Sequence, residues 1–348
     1  MLAAAVCALA PAGAVGASQT ITLDGWGQIA ADMGPRHLAY TDALTIVIDP
    51  ADAPPPLPEG LAPFRYYRLD AGVTRLDGSG RRFVGGAGPQ VTMRTSIGRL
   101  PAGDVDLTPD GRFVATAAAS AFASPVVWCC TPDEGLEVVL ESDGRAEAPI
   151  PIAVGTDGPR RTRWVARHAD GVTRVHVVDP LDESAPRAVL DLPGDPLPGR
   201  VDLEGTLAAW VDRDGAAGAV RIARIGRDAT PRTAVVGGTV REVHVADGEV
   251  LALTRVGARH RVVRVDRAGR TGRVWTGTTR PRVAIGGRWV AVAAGKRVLL
   301  GRRAPLREVR IARGRIAGLA VHGNRVAVFE RRTVKRSRAT VARIWSRS

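Results

Sequence analysis

Asp106, Asp202 and His244 each stand in the middle of an apolar–x–apolar triplet: VDL at 105–107, VDL at 201–203 and VHV at 243–245. The matching position elsewhere in the chain is Ala30, Ala153, Ala284 or Ala320. A carboxylate or imidazole among apolar neighbours has to be hydrogen-bonded or paired. Two chemistries fit. The three could converge as a ligand or metal site, or each could tie its strand to a neighbouring segment.

A second group is SPVVWCCTPDEG (124–135), in which Cys129 and Cys130 follow Trp128. The remaining cysteine is Cys7. On a regular strand adjacent side chains point to opposite faces. Neighbouring Cα atoms stand about 3.8 Å apart, closer than the ~4.4–6.8 Å usual for a disulfide. A vicinal disulfide there is a tight, distorted ring. It competes with two reduced thiols, one packed as a small hydrophobe, and with metal binding or intermolecular pairing.

Other catalytic or metal signatures are missing. The six histidines are scattered, with no HExxH and no pair at metal-ligand spacing. Asp212-Arg213-Asp214-Gly215 is a fragment of a calcium loop without its closing glutamate, and reads as a turn. Ser79 lies in GSG, not in a GxSxG elbow. No phosphate-binding glycine loop is present. The sequence assigns no catalytic residue, no metal and no cofactor.

The elements that must position these residues repeat along the chain. A strand, a glycine-bearing turn and a second apolar strand recur at 28–42, 105–118, 151–167, 201–214, 243–255, 283–295 and 319–330. Further strand pairs follow, as at 219–238 and 261–277. The later phrases are spaced about 35–50 residues apart, the range of a four-stranded propeller blade. No amphipathic run of helical period longer than about 12 residues occurs. The expectation is an all-β chain forming a single β-propeller of about seven four-stranded blades, with six and eight as neighbouring solutions. Aromatic residues are 4% of the chain, so valine, alanine, leucine and isoleucine must build the core. VTRLDGSGRRFVGGAG (73–88) could hide a further blade start, or the proline-rich segment 50–63 could be an insertion. The segment 330–345 alternates as a strand does and could close the ring against 21–29.

LTPDGRFVATAA (107–118) resembles the phrase of TolB-type and WD40-like bacterial propeller repeats. The match is good over one repeat and degenerate in the others. It implies the propeller fold and says little about activity, since propellers host binders, scaffolds and enzymes alike.

Residues 1–17, MLAAAVCALAPAGAVGA, read as a signal-peptide-like segment with cleavage after Ala17. The expected propeller domain covers 18–348, with no transmembrane span in the mature chain. Export points to an extracytoplasmic, secreted or envelope-associated protein.

Net charge is +14 and uneven. Residues 241–348 hold 27 Arg or Lys against 6 Asp or Glu, and residues 1–240 hold 22 against 29. The last third is therefore about +21 and the rest about −7. Arg302, Arg303, Arg307, Arg331, Arg332, Lys335, Arg336 and Arg338 form the candidate basic surface. The expected partner is a protein or an anionic envelope polymer. Nucleic acid suits poorly, because basic and aromatic positions are not interleaved. Two functions follow. One is an exported, non-catalytic binding or scaffold module at the cell envelope. The alternative is an envelope polysaccharide lyase or hydrolase with its site at the axial channel.

Overall fold

The computed structural model describes residues 19–23, 30–48, 64–80, 82–87, 104–108, 111, 114–118, 126–131, 135–141, 150–157, 162–169, 171–178, 187–194, 196, 199–226, 231–334 and 337–346. These form seven antiparallel sheets of four strands each, and no helix occurs among the described residues.

Blade 1 comprises Ala30–Met33, His37–Ile48, Phe64–Arg75 and Arg82–Ala87. Blade 2 comprises Asp104–Leu107, Val114–Ala118, Val126–Thr131 and Gly135–Glu141. Blade 3 is Ile150–Asp157, Thr162–Ala169, Val172–Val178 and Arg187–Leu192. Blade 4 is Val201–Glu204, Leu207–Trp210, Ala219–Arg224 and Arg232–Val235. Blade 5 is Thr239–Ala246, Glu249–Val256, Arg259–Val265 and Thr271–Gly277. Blade 6 is Arg282–Gly286, Trp289–Ala294, Arg297–Gly301 and Arg307–Ile311. Blade 7 has Arg315–His322, Arg325–Val334 and Ser337–Ser346, and takes its outer strand, Gln19–Leu23, from the other end of the sequence.

The innermost strands touch in the cyclic order of the blades, and blade 7 returns to blade 1. The ring is thus closed, with the first strand paired to the last (Ile21 opposite Ala342). The repeat phrase corresponds to the inner two strands of each blade. Residues 73–88 are not a further blade start. They are the outer hairpin of blade 1, in which Val73 pairs with Arg82. The segment 50–63 falls between the second and third strands of that blade and, like residues 1–17, lies outside the described residues.

The core lies between blades rather than within them. Ala209, Val220 and Ile222 of blade 4 pack on Val243, Ala252 and Val263 of blade 5. Trp164 and Val175 of blade 3 face Leu203 and Trp210 of blade 4. Tyr40 of blade 1 tilts against Phe329 of blade 7 at 6.3 Å between ring centres. Burial on both faces explains why second strands such as Glu249–Val256 read as nearly unbroken apolar runs. Outer strands such as Thr271–Gly277 are more exposed.

Blades converge at the axis, and small residues are required there. A Cβ on Gly286 of blade 6 would overlap the Val321 carbonyl oxygen of blade 7. One on Gly155 of blade 3 would sit 2.8 Å from Leu203 Cβ of blade 4.

Candidate functional site

Asp106, Asp202 and His244 all line one axial cavity of about 820 Å³. Each lies on the inner strand of its blade, and the ring brings them together. Residues two positions away share the same strand face. Asp32, Asp104, Glu204 and Glu242 therefore line the cavity too. The sequence reading passed over these four. The signal was available, since each is two residues from a position already singled out (Ala30, Asp106, Asp202 and His244).

The aspartates act as ties, all in the same rotational sense. Asp32 of blade 1 accepts from the Leu107 N–H of blade 2 at 2.7 Å. In blade 2, Asp104 accepts from Val154 N–H at 2.9 Å and Asp106 from Thr156 N–H at 2.7 Å, both in blade 3. Asp202 of blade 4 accepts from Val245 N–H of blade 5 at 2.5 Å. Arg325 of blade 7 continues the sense by donating to the Pro35 carbonyl of blade 1 at 3.2 Å. Each short carboxylate thus satisfies a backbone donor on the next inner strand.

Burial raises these carboxyls. It lifts Asp32 and Asp104 to about 6, against the opposing effect of the N–H groups they accept from. Asp106 is raised by burial and then by Asp32 and Glu204, and Asp202 by burial and then by Asp104. Burial, then the Asp32 and Asp247 charges, push Glu204 to about 8. Blade 5 differs. Burial would raise Glu242, but His244 and Arg280 outweigh it and hold the carboxyl at about 2. His244 Nε2 stands 3.9 Å from Glu242 and Arg280 donates to Glu242 at 2.5 Å. Burial opposes charge on His244, yet Glu242 and Asp202 raise its pKa. Among the described residues, no group of three or more His, Cys, Asp or Glu is arranged to hold a metal ion.

The candidate basic surface is not one surface. In an antiparallel blade the first and third turns emerge on one face of the ring, and the second turn and blade-to-blade loops on the other. Arg302 and Arg303 sit in the third turn of blade 6 and Arg307 just beyond it, all exposed. Arg331 and Arg332 lie towards the far end of the second strand of blade 7 and are half-buried. They therefore approach the opposite face. Arg332 pairs at 2.7 Å with Glu330, a carboxylate that is 1% exposed. Lys335, Arg336 and the side chain of Arg338 lie outside the described residues.

Arg302 and Arg303 instead join a second pocket, about 1090 Å³, between the turns of blades 5 and 6. The segment Asp212–Gly215 is a turn, closed by Gly215 N–H on the Asp212 carbonyl at 2.8 Å. Cys129 and Cys130 fall on the third strand of blade 2, opposite Ala115 and Val114. Their side chains lie outside the described residues.

No protein-family model and no curated protein matches the sequence. Solved structures match in fold. An acylaminoacyl peptidase of Pyrococcus horikoshii is 14% identical with a TM-score of 0.55, over 92% of this chain and 51% of the enzyme. The chain thus spans about half the length of that peptidase. The propeller domain of the trilobed protease from Pyrococcus furiosus, described as having an open velcro topology, is 12% identical with a TM-score of 0.56, over 92% and 93%. YCF48, solved bound to D1 peptide, is 8% identical with a TM-score of 0.53, over 95% of each chain. The chain is a β-propeller with four-stranded blades, as the sequence repeat predicts.

Proposed function

We propose that this chain is an exported, non-catalytic β-propeller that serves as a binding or scaffold module at the cell envelope. Its partner is a protein or an anionic envelope polymer, taken up on the face where the turns of blades 5 and 6 emerge. One observation carries the reading. The axial aspartates Asp32, Asp106 and Asp202 are committed to blade-to-blade ties, whereas at the second pocket seven arginines meet three carboxylates. Opposite potentials steer association, and clefts of one sign concentrate the other. A propeller such as YCF48, solved with a bound peptide, supports a protein as one class of partner. The segment 1–17 supports export.

One observation favours the alternative, a polysaccharide lyase or hydrolase at the axis. Glu204 and Asp32 line one cavity, and burial raises both carboxyls, to about 8 and about 6, so that they differ in readiness to hold a proton. The two readings separate on Asp202→Ala and His244→Ala, with envelope polymers screened for both retention and chain cleavage. A binding module retains polymer in a salt-dependent way and releases no fragments. Its Asp202→Ala and His244→Ala forms melt earlier but bind as before. Fragment release by the parent protein, lost in Glu204→Gln or in either alanine variant without loss of fold, overturns the reading.

A further inference from the structure

The pocket between blades 5 and 6 is built by one arginine. Arg264, on the third strand of blade 5, pairs with Glu249. It also donates to the Arg288 carbonyl at 3.4 Å and the Arg302 carbonyl at 2.5 Å. It thereby pins the first and third turns of blade 6 against blade 5. Arg267 is likewise committed, donating to the Asp247 carbonyl at 2.9 and 2.6 Å. Arg270 is held by Asp266 at 2.8 Å.

What remains is an imbalance. Among the described residues, the side chains of Arg273, Arg288 and Arg303 have no hydrogen-bond or ion-pair partner. Arg302 covers the Trp289 ring, 4.9 Å from its centre. Glu249 and Asp266 are occupied, so these four arginines face no free carboxylate except Asp247. That side chain also has no hydrogen bond or ion pair among the described residues, and it lines both this pocket and the axial cavity. Arg288 and Arg303 crowd Arg264 closely enough to add to burial in lowering its pKa.

The pocket's content selects a ligand. Planar guanidinium forks match carboxylate groups in pairs. A flat bilayer cannot enter a concave pocket. A uniformly anionic phosphate chain would meet the Asp247 carboxylate, whereas a sugar hydroxyl can donate to it. Resting on the reading of the protein as a binding module, we infer that the pocket between blades 5 and 6 binds an acidic oligosaccharide. Arg273, Arg288, Arg302 and Arg303 take its carboxylates and Asp247 takes its hydroxyls.

The test is calorimetric titration of the whole protein with galacturonate and hyaluronan hexamers. Maltohexaose, inorganic polyphosphate and phosphatidylglycerol vesicles serve as comparators. At least one acidic hexamer is expected to bind, more weakly as salt rises, and maltohexaose not at all. Arg288→Ala/Arg303→Ala weakens binding by about tenfold or more per lost bidentate contact. The charge-matched control Arg187→Ala/Arg224→Ala, at exposed positions on blades 3 and 4, stays within about twofold, since it removes only screened long-range attraction. Each variant is melted first, and Arg303→Ala alone replaces the double variant if that does not fold. Equal binding by the pocket variant removes this site but leaves the binding-module reading in place. Binding of polyphosphate or vesicles without either acidic hexamer overturns the ligand class. If none of the anions binds, the acidic-oligosaccharide inference and the anionic partner fall together.

Discussion

Replacing Glu204 by glutamine should stabilise the protein, and by an amount that depends on pH. Glu204 ends the inner strand of blade 4 and is pushed to about 8, first by burial and then by Asp32 and Asp247. In the unfolded chain its pKa is near the ordinary value of 4.5. The native state therefore binds a proton that the unfolded state releases once pH exceeds about 4.5. Stability falls as pH rises from there to about 8, and then levels off. At pH 7 the cost is about 1.36 kcal/mol for each of 2.5 pH units, or ~3.4 kcal/mol. Glu204 is half-buried and its cavity admits water, so roughly half of that, about 1.5–2 kcal/mol, is the realistic figure. Glutamine has nearly the same shape and carries no such cost. With an unfolding entropy of about 2.1 cal/mol/K per residue, 348 residues give about 0.7 kcal/mol/K. The variant should melt about 2–3 °C above the parent at pH 7. The assay is thermal unfolding of both proteins at unit steps from pH 5 to 9. The gap should nearly vanish at pH 5 and reach its plateau above pH 8. A gap that does not change with pH, or one that favours the parent at pH 8, refutes the assignment of a raised carboxyl at this position.

Glu330→Ala should be among the most damaging single changes. It strands the Arg332 guanidinium and the Arg313 and Gly314 N–H groups that now use this buried carboxylate. Breaking one side of a buried pair costs about 3–5 kcal/mol, visible as a shifted denaturant midpoint. Asp202→Ala removes the acceptor of the Val245 N–H and should cost about 1–3 kcal/mol. Asp202→Asn, which keeps an acceptor, should cost less in the same unfolding experiment. Gly286→Val should destabilise the seam between blades 6 and 7 by about 1–3 kcal/mol, read as a lower melting temperature, because its Cβ has no room beside the Val321 carbonyl.

The propeller was legible because its cause is local. Each blade repeats the same apolar strand, glycine turn and apolar strand, so a seven-fold phrase becomes seven sheets. The closing pair was legible from alternation in the tail, but 330–345 is not one strand: it spans the end of Arg325–Val334 and most of Ser337–Ser346, and only the latter pairs with Gln19–Leu23. Asp106, Asp202 and His244 stood out as polar breaks in apolar triplets. Asp32, Asp104, Glu204 and Glu242 did not, because their immediate neighbours already look like strand edges. They emerge once the period of two is carried along the whole inner strand. The split of the basic residues was hidden for a different reason. Arg302 and Arg332 are close in sequence, but successive antiparallel strands deliver them towards opposite faces. Pairing within the pocket also depends on turns from two blades, and strand periodicity does not set their geometry.

The outer strand of blade 7 carries a consequence for assembly. Ile21 and its partner Ala342 are 342 minus 21, or 321, residues apart. Bringing such distant points together in a flexible chain costs about 5 kcal/mol of closure entropy. Stacking the intervening blades first shortens the effective distance, so the clasp should form last. Until it does, the strand Ser337–Ser346 presents an open edge. A second polypeptide emerging nearby carries the same leading strand. Crowded synthesis should therefore favour exchange of Gln19–Leu23 between copies, giving linked dimers in which every blade is still complete.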